Sequence, residues 1–305
     1  MIVKESKFKN VLAFELITKS NTAKVVPLEG GKIASFKDRK SGKEYLLQNP
    51  SEKFLHTGFD DDFVDGECCG FDDMFPTIDP VSVTYPDGTI MEYPDHGEVA
   101  RVPFSYEATE NSLTLHFSSA RFGYEYTKTF RESAEGGLQV DYRIENRSDY
   151  DLDVLWAAHC LINAEQGGQV IVPFGEGEDV DIMFDSVSRF TPGARIPFRE
   201  EYFSTKWTVG VPECRKFYFP RQAPEGYLAY RYPSGDVLMM EFDPDRISCI
   251  GVWENFARFN GAYCIGFEPC SVGYDTVKNA EKYGQKRPIK KGESLEFFIR
   301  LTVKK

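Results

Sequence analysis

Acid–base chemistry near neutral pH needs groups that change charge there, and this sequence holds few of them. Its four histidines are His56, His96, His116 and His159, and imidazole is the side chain whose ordinary pKa lies beside neutrality. His116 alternates with Leu115 and Phe117 on the polar face of an amphipathic stretch, which reads as a surface position. His56 lies in an irregular segment. His159 closes the apolar run Val154-Leu155-Trp156-Ala157-Ala158 and is followed by Cys160-Leu161-Ile162. An imidazole so placed is either a hydrogen-bonded core residue or a proton donor and acceptor facing a pocket.

Glu268 is the second unusual position. In Tyr263-Cys264-Ile265-Gly266-Phe267-Glu268-Pro269 bulky residues alternate with others, so Cys264, Gly266 and Glu268 share a face with open volume beside the carboxylate. A dry, unpaired carboxylate is costly there. It requires either a salt-bridge partner or a wet pocket. Pro269 withholds a backbone donor and should halt strand pairing. His96 sits in the turn Tyr93-Pro94-Asp95-His96-Gly97-Glu98. The segment Gly70-Phe71-Asp72-Asp73-Met74-Phe75-Pro76-Thr77 sets Asp72 and Asp73 among aromatic residues. That combination suits a sugar, whose C–H face stacks on rings while its hydroxyls bond to carboxylates. Asp60-Asp61-Asp62, with Asp65 and Glu67, would attract a cation but lacks the spacing of an EF-hand loop, so no metal is assigned. The seven cysteines contain no C-x-x-C pair and read as reduced, mostly buried thiols.

The elements that must position these groups are strands. Leu113, Leu115 and Phe117 alternate with polar residues, as do Leu138, Val140, Tyr142 and Ile144, and Leu295, Phe297, Ile299, Leu301 and Val303. Further strands are expected at 23–28, 32–38, 100–107, 124–131, 152–158, 169–173, 227–232, 237–242 and 263–268. Polar turns such as Pro86-Asp87-Gly88 and Glu135-Gly136-Gly137 separate them. A short helix fits 275–283, and long helices are nearly absent. The pattern predicts an all-β fold of stacked antiparallel sheets. Segments 50–80 and 175–220 lack clean periodicity and read as long, ligand-covering loops.

The chain has 305 residues, 41% hydrophobic and 14% aromatic, enough for a substantial core and too many for a disordered segment. With no internal repeat or low-complexity linker, one domain over residues 1–305 is expected. A formal net charge of −12 argues against a general nucleic-acid binder, which needs surplus Lys and Arg. The opening MIVKESKFKN has no apolar run like a signal peptide's core, and no stretch approaches membrane-spanning length. The expectation is a cytoplasmic protein without a membrane partner.

In their order along the chain, these segments resemble the aldose 1-epimerase (galactose mutarotase-like) family. The residues that carry the resemblance begin with Val26-Pro27, Gly31-Lys32-Ile33-Ala34-Ser35 and Gly70–Thr77. They continue with Asp95-His96-Gly97-Glu98, Ala157-Ala158-His159, Ile171-Val172-Pro173 and Gly266-Phe267-Glu268-Pro269, so they span most of the chain. The resemblance implies a β-supersandwich whose concave face binds a pyranose, with a small-molecule carbohydrate as partner and no cofactor. It implies that Glu268 is the general base, that His159 is the general acid and that His96 hydrogen-bonds near the ring oxygen. That set opens and recloses a sugar ring to exchange its anomers. The Asn-Arg pair of many family members is not evident, with Gly70–Pro76 in that region, and Asp236 and Asp243 are candidates for the family's substrate-binding Asp.

Two other readings use the same residues. A non-catalytic carbohydrate-binding protein would keep the aromatic residues and acids without needing both Glu268 and His159. A carbohydrate lyase or hydrolase is the other, a glycosidase usually wanting two facing carboxylates.

Overall fold

A computed structural model describes residues 1–305 and places nearly all regular structure in strands. The one α-helix is Val277–Lys282, capped by the Thr276 side chain, which accepts from Asn279 N. An eleven-stranded sheet has Ile2–Phe8 at one edge and Arg195–Pro197 at the other. Its central strands run in the order Lys32–Asp38, Phe71–Met74, Ala157–Asn163, Tyr263–Cys270, Cys249–Phe256 and Glu213–Tyr218. An eight-stranded sheet faces it, centred on Ser294–Lys304, Leu138–Asn146 and Tyr124–Glu132. Neighbouring strands pair antiparallel in both. A separate hairpin joins Val81–Thr84 to Ile90–Tyr93.

Period-two patterning decides what lies between the sheets. From Tyr124–Glu132 the residues Tyr124, Tyr126, Lys128 and Phe130 all point inward and are buried. Trp156 Nε1 donates to Tyr126 OH at 2.8 Å, and the Tyr142 and Phe297 rings stack with centroids 4.7 Å apart. The odd member is Lys128. Its ammonium meets Asp73 Oδ2 of the large sheet at 2.7 Å, and Tyr142 OH donates to Oδ1 of the same carboxylate at 3.0 Å.

Several expected boundaries move. The strand expected at 152–158 is found at Ala157–Asn163, because Leu155 N and Trp156 N donate to Pro76 O and Ser271 Oγ, at 2.8 and 2.9 Å, instead of joining a ladder. Apolar residues buried as irregular backbone look like a strand in sequence. Likewise the strand expected at 100–107 is confined to Ser105–Ala108, preceded by a 3₁₀ turn at Val99–Arg101. Pairing does not halt at Pro269, since Pro269 and Cys270 pair with Ile250 and Cys249 on one side. On the other side the ladder lapses across Ala158 and His159, where Pro269 has no N–H to give. Segment 175–220 holds three strands, Asp179–Asp185, Arg195–Pro197 and Glu213–Tyr218. The last is covered on both faces, which erases the alternation a half-buried strand would show.

Candidate active site

Directly opposed residues on adjacent strands put their side chains on the same face. Asp72 opposes His159. The register that pairs Ala157 with Cys270 and Cys160 with Phe267 sets His159 opposite Glu268. Glu268 in turn opposes Gly251, and Gly251 opposes Tyr218. The next row on that face is Leu161, Gly266, Trp253 and Lys216. Two glycines keep the surface low. A Cβ at Gly251 would lie 2.9 Å from the Tyr218 ring, and one at Gly266 would lie 3.2 Å from Glu268 Oε1.

Over this face opens a cavity of about 430 Å³, within the size range of small-molecule sites. His96, His159, Glu268, Lys216, Asp275 and Asp79 supply its polar lining, while Ile78, Met183, Trp253 and Phe259 supply apolar wall. Three of the residues singled out in sequence, His96, His159 and Glu268, therefore meet in one hollow. The His96 ring stacks on Phe63 with centroids 4.6 Å apart, and His159 stands edge-on to both rings. His96 Nδ1 and Asp95 Oδ1 are 2.8 Å apart. The turn that presents His96 depends on Gly97, whose φ is +68° and where a Cβ would fall 2.3 Å from Phe75 O.

Burial sets the electrostatics. His159 Nδ1 is sealed and has no partner, which leaves Nε2 as the nitrogen able to meet a ligand. Desolvation, then the nearby His96, Lys216 and Lys32, hold the His159 pKa well below the ordinary imidazole range. Burial and the nearby positive groups thus favour the neutral ring. Glu268 is pushed the other way: burial raises its pKa, the Lys216 ammonium opposes the rise, and the Asp275 carboxylate adds to it. Lys216 Nζ lies 2.8 Å from Glu268 Oε2 and 2.6 Å from Asp275 Oδ1. Of the two, only the Asp275 contact is aligned as a hydrogen bond, and Glu268 Oε2 has no aligned donor. Burial disfavours the Lys216 charge, but the two carboxylates outweigh it and keep the ammonium protonated.

The remaining candidates lie elsewhere. Asp73 points between the sheets to Lys128, so it does not line the cavity. Asp72 shares the face of His159 but is sealed beneath it in an ion pair with Lys32, and burial pushes its pKa up to about 6. Neither carboxylate is free for a ligand, because each neutralises a buried lysine. Asp236 accepts from Tyr45 OH at 3.1 Å and Asp243 from Asp245 N at 3.0 Å, and neither reaches the cavity. His56 pairs with Glu29 and His116 with Glu125, both histidines being exposed. In the acidic segment Glu67 is taken by Lys9, and Asp61 Oδ2 accepts from Gly58 N at 2.6 Å.

Sequence reasoning missed Lys216, Asp275, Asp79 and Trp253. Asp275 had one available signal, its place just before the helix. Tyr274 and Asp275 both adopt left-handed backbone, each with φ +68°. Successive non-glycine residues there are unusual and store strain, which the surrounding bonds must hold. Asp275 O does so by accepting Ile78 N and Asp79 N, both at 3.0 Å.

No protein-family model matches this sequence, and no curated protein matches it either. Solved structures do. The Slr1438 protein from Synechocystis sp. PCC 6803 superposes with a TM-score of 0.73 at 16% identity, covering 98% of each chain. A galactose mutarotase-like protein from Clostridium acetobutylicum gives 0.71 at 13% identity, over 99% of this chain and 98% of that one. The fold is galactose mutarotase-like. An aldose epimerase homologue from C. elegans shares this galactose mutarotase-like architecture at a TM-score of 0.64 and 11% identity, over 95% of this chain and 98% of its own. At these identities the likeness is one of fold, and the chemistry must be argued from the residues. No helix is long and apolar enough to cross a membrane.

Proposed function

We propose that this chain is an aldose 1-epimerase-like isomerase that exchanges the anomers of a free aldose or a close sugar derivative. One observation carries the reading: Glu268 and His159 stand opposite each other on one face of the large sheet and line the same cavity. Glu268 takes the proton from the anomeric hydroxyl, while His159, protonated on Nε2, gives its proton to the ring oxygen. The C1–O5 bond breaks, leaving an aldehyde at C1 and a hydroxyl at C5. Rotation about C1–C2 turns the other face of the aldehyde toward that hydroxyl. Closure returns the O5 proton to His159 and the Glu268 proton to O1, so both groups end as they began.

The electrostatics suit these roles. Each group gives and takes a proton in one cycle, so a carboxyl raised toward working pH serves better than an ordinary one. A neutral Nε2–H is a weak acid, comparable in strength to the hydroxyl that forms at C5, so it gives up its proton only as the C1–O5 bond breaks and charge develops on O5. Trp253 and Phe259, with ring centroids 5.7 Å apart, offer apolar surface to the sugar's C–H face. Glu268 and Asp275 share one ammonium instead of facing each other across open space, which disfavours the paired-carboxylate chemistry of a glycosidase.

Polarimetry, with NMR saturation transfer between anomers, tests the proposal over a panel of free aldoses. Acceleration of at least one sugar, lost in Glu268→Gln, is expected. Exchange rates unchanged by the protein for every sugar would leave a non-catalytic binder as the reading.

A further inference from the structure

Lys216 is the one lysine or arginine lining the cavity, and the proton transfers above give it no task. It projects from Glu213–Tyr218, two strands away from Glu268 across Cys249–Phe256. Its ammonium touches two carboxylates, Glu268 at 2.8 Å and Asp275 at 2.6 Å. Tyr218 OH, on the same strand, donates to the same Asp275 oxygen at 2.8 Å. The Asp275 backbone is in turn fastened to Ile78 and Asp79. The array Tyr218–Asp275–Lys216–Glu268 is thus fixed at both ends.

We propose that Lys216 is a positioning residue, which keeps Glu268 ionised and fixed in place, and that Asp275 and Tyr218 hold Lys216 for that task. This rests on the epimerase reading of the site. What matters is which carboxylate oxygen the ammonium meets. A carboxylate stripped of water needs compensation for its charge. A cation on the oxygen that faces the sugar would supply it but would occupy the lone pair that must accept the sugar's proton. Here Lys216 meets Glu268 at Oε2, the oxygen sealed from the cavity, while its aligned hydrogen bond goes to Asp275. Charge is compensated at Oε2, and Oε1 is left to take the sugar's proton.

The other groups facing Glu268 do not replace Lys216. Cys214 and Tyr218 come from the Lys216 strand, Cys270 from its own, His159 from the neighbouring strand, and His96, Asp79 and Asp275 from the connecting segments. Burial and Asp275 favour the protonated carboxyl. Lys216 is the strongest influence favouring the charged form, with His96 a weaker one.

The test is a carboxyl-carbon NMR titration of Glu268 in the sugar-free protein, assigned through Glu268→Gln. In Lys216→Met the titration midpoint rises by about 1–3 pH units, the usual effect of losing a neighbouring opposite charge. Lys216→Arg restores most of that shift. Asp275→Asn moves the midpoint down, since it removes a like charge and leaves the ammonium to Glu268 alone. The acid limb of the anomer-exchange profile follows in the same directions, so Lys216→Met loses at least about tenfold in kcat/KM at neutral pH and recovers as pH rises. A folded Lys216→Met protein whose Glu268 midpoint moves by less than about 0.3 units overturns the proposal, the full effect of a neighbouring charge being larger. If that variant does not fold, an Asp275→Asn midpoint that fails to fall overturns it instead. Wild-type protein inactive on every sugar would sink the epimerase reading separately, because the titration needs no turnover.

Discussion

Replacing Asp73 by Asn removes the counter-charge of a lysine that cannot reach water. Lys128 and Asp73 are 3% and 2% exposed and 2.7 Å apart. Their gross attraction at an effective dielectric of about 20 is roughly 6 kcal/mol. Desolvation offsets part of this, and breaking one side of a buried pair is expected to cost about 3–5 kcal/mol. Asn keeps the size and the ability to accept from Tyr142, so the loss is electrostatic and leaves no cavity. With about 2.1 cal/mol/K of unfolding entropy per residue, a chain of 305 residues should lose roughly 5–8 °C in Tm. Urea unfolding and thermal melts measure the change. Adding Lys128→Met should recover most of it, because a buried pair replaced by apolar groups is often near neutral. Below the melting range the single variant should bind sugar with KM within about twofold of wild type, since Asp73 points away from the cavity. A variant that melts normally but shows a tenfold higher KM would mean that Asp73 faces the ligand, and the assignment of the two faces would be wrong.

Three further outcomes follow from the site. Glu268→Gln and His159→Asn should each lower kcat/KM by at least about a hundredfold, the usual scale for acid–base groups, while circular dichroism shows both folded; full activity in either removes the assigned role. Because the His159 pKa is held below the ordinary imidazole value of about 6.5 in the folded protein, the unfolded chain takes up a proton that the native state refuses. Stability is therefore fully present above that value and falls as pH drops below it, by about 1.4 kcal/mol per pH unit until the folded value is reached. Denaturant titrations from pH 7 to 5 should show this slope diminished in His159→Asn, and equal slopes would refute it. Gly97→Ala should cost about 1–3 kcal/mol through its left-handed backbone and the clash with Phe75 O, and should weaken sugar binding by displacing His96. A melt and a binding isotherm matching wild type would show that the turn tolerates a side chain.

The sequence was most informative where one face of a strand is wet. Leu138–Asn146 and Ser294–Lys304 alternate visibly because the eight-stranded sheet buries one side of them. Glu268 was legible for a related reason, as the carboxylate beside small residues in an apolar strand. His159 and His96 needed the ordered resemblance, since a buried imidazole and a polar turn each have commoner explanations. What stayed hidden lies in strands covered on both faces. Glu213–Tyr218 reads as ECRKFY, where Lys216 and Arg215 point to opposite layers and each finds its own carboxylate, Glu268 and Glu254. Nothing local says which charge faces the cavity. Asp72 and Asp73 show the same limit, because aromatic neighbours suggested a sugar while the counter-ions, Lys32 and Lys128, lie 40 and 55 residues away in the chain.

The row that joins Asp72, His159, Glu268, Gly251 and Tyr218 draws on five strands whose members are scattered through some two hundred positions of chain. Residues 153–305 carry Glu268, His159 and Lys216 but lack the Phe71–Met74 strand that pairs beside His159 and the turn that presents His96, so neither half of the molecule expressed alone should retain catalysis. Ring-opening activity would therefore report on completion of the whole central ladder. Mixing separately produced halves should regenerate turnover only as fast as those distant pairings zip together, making the reaction a clock for the slowest, most non-local step of assembly.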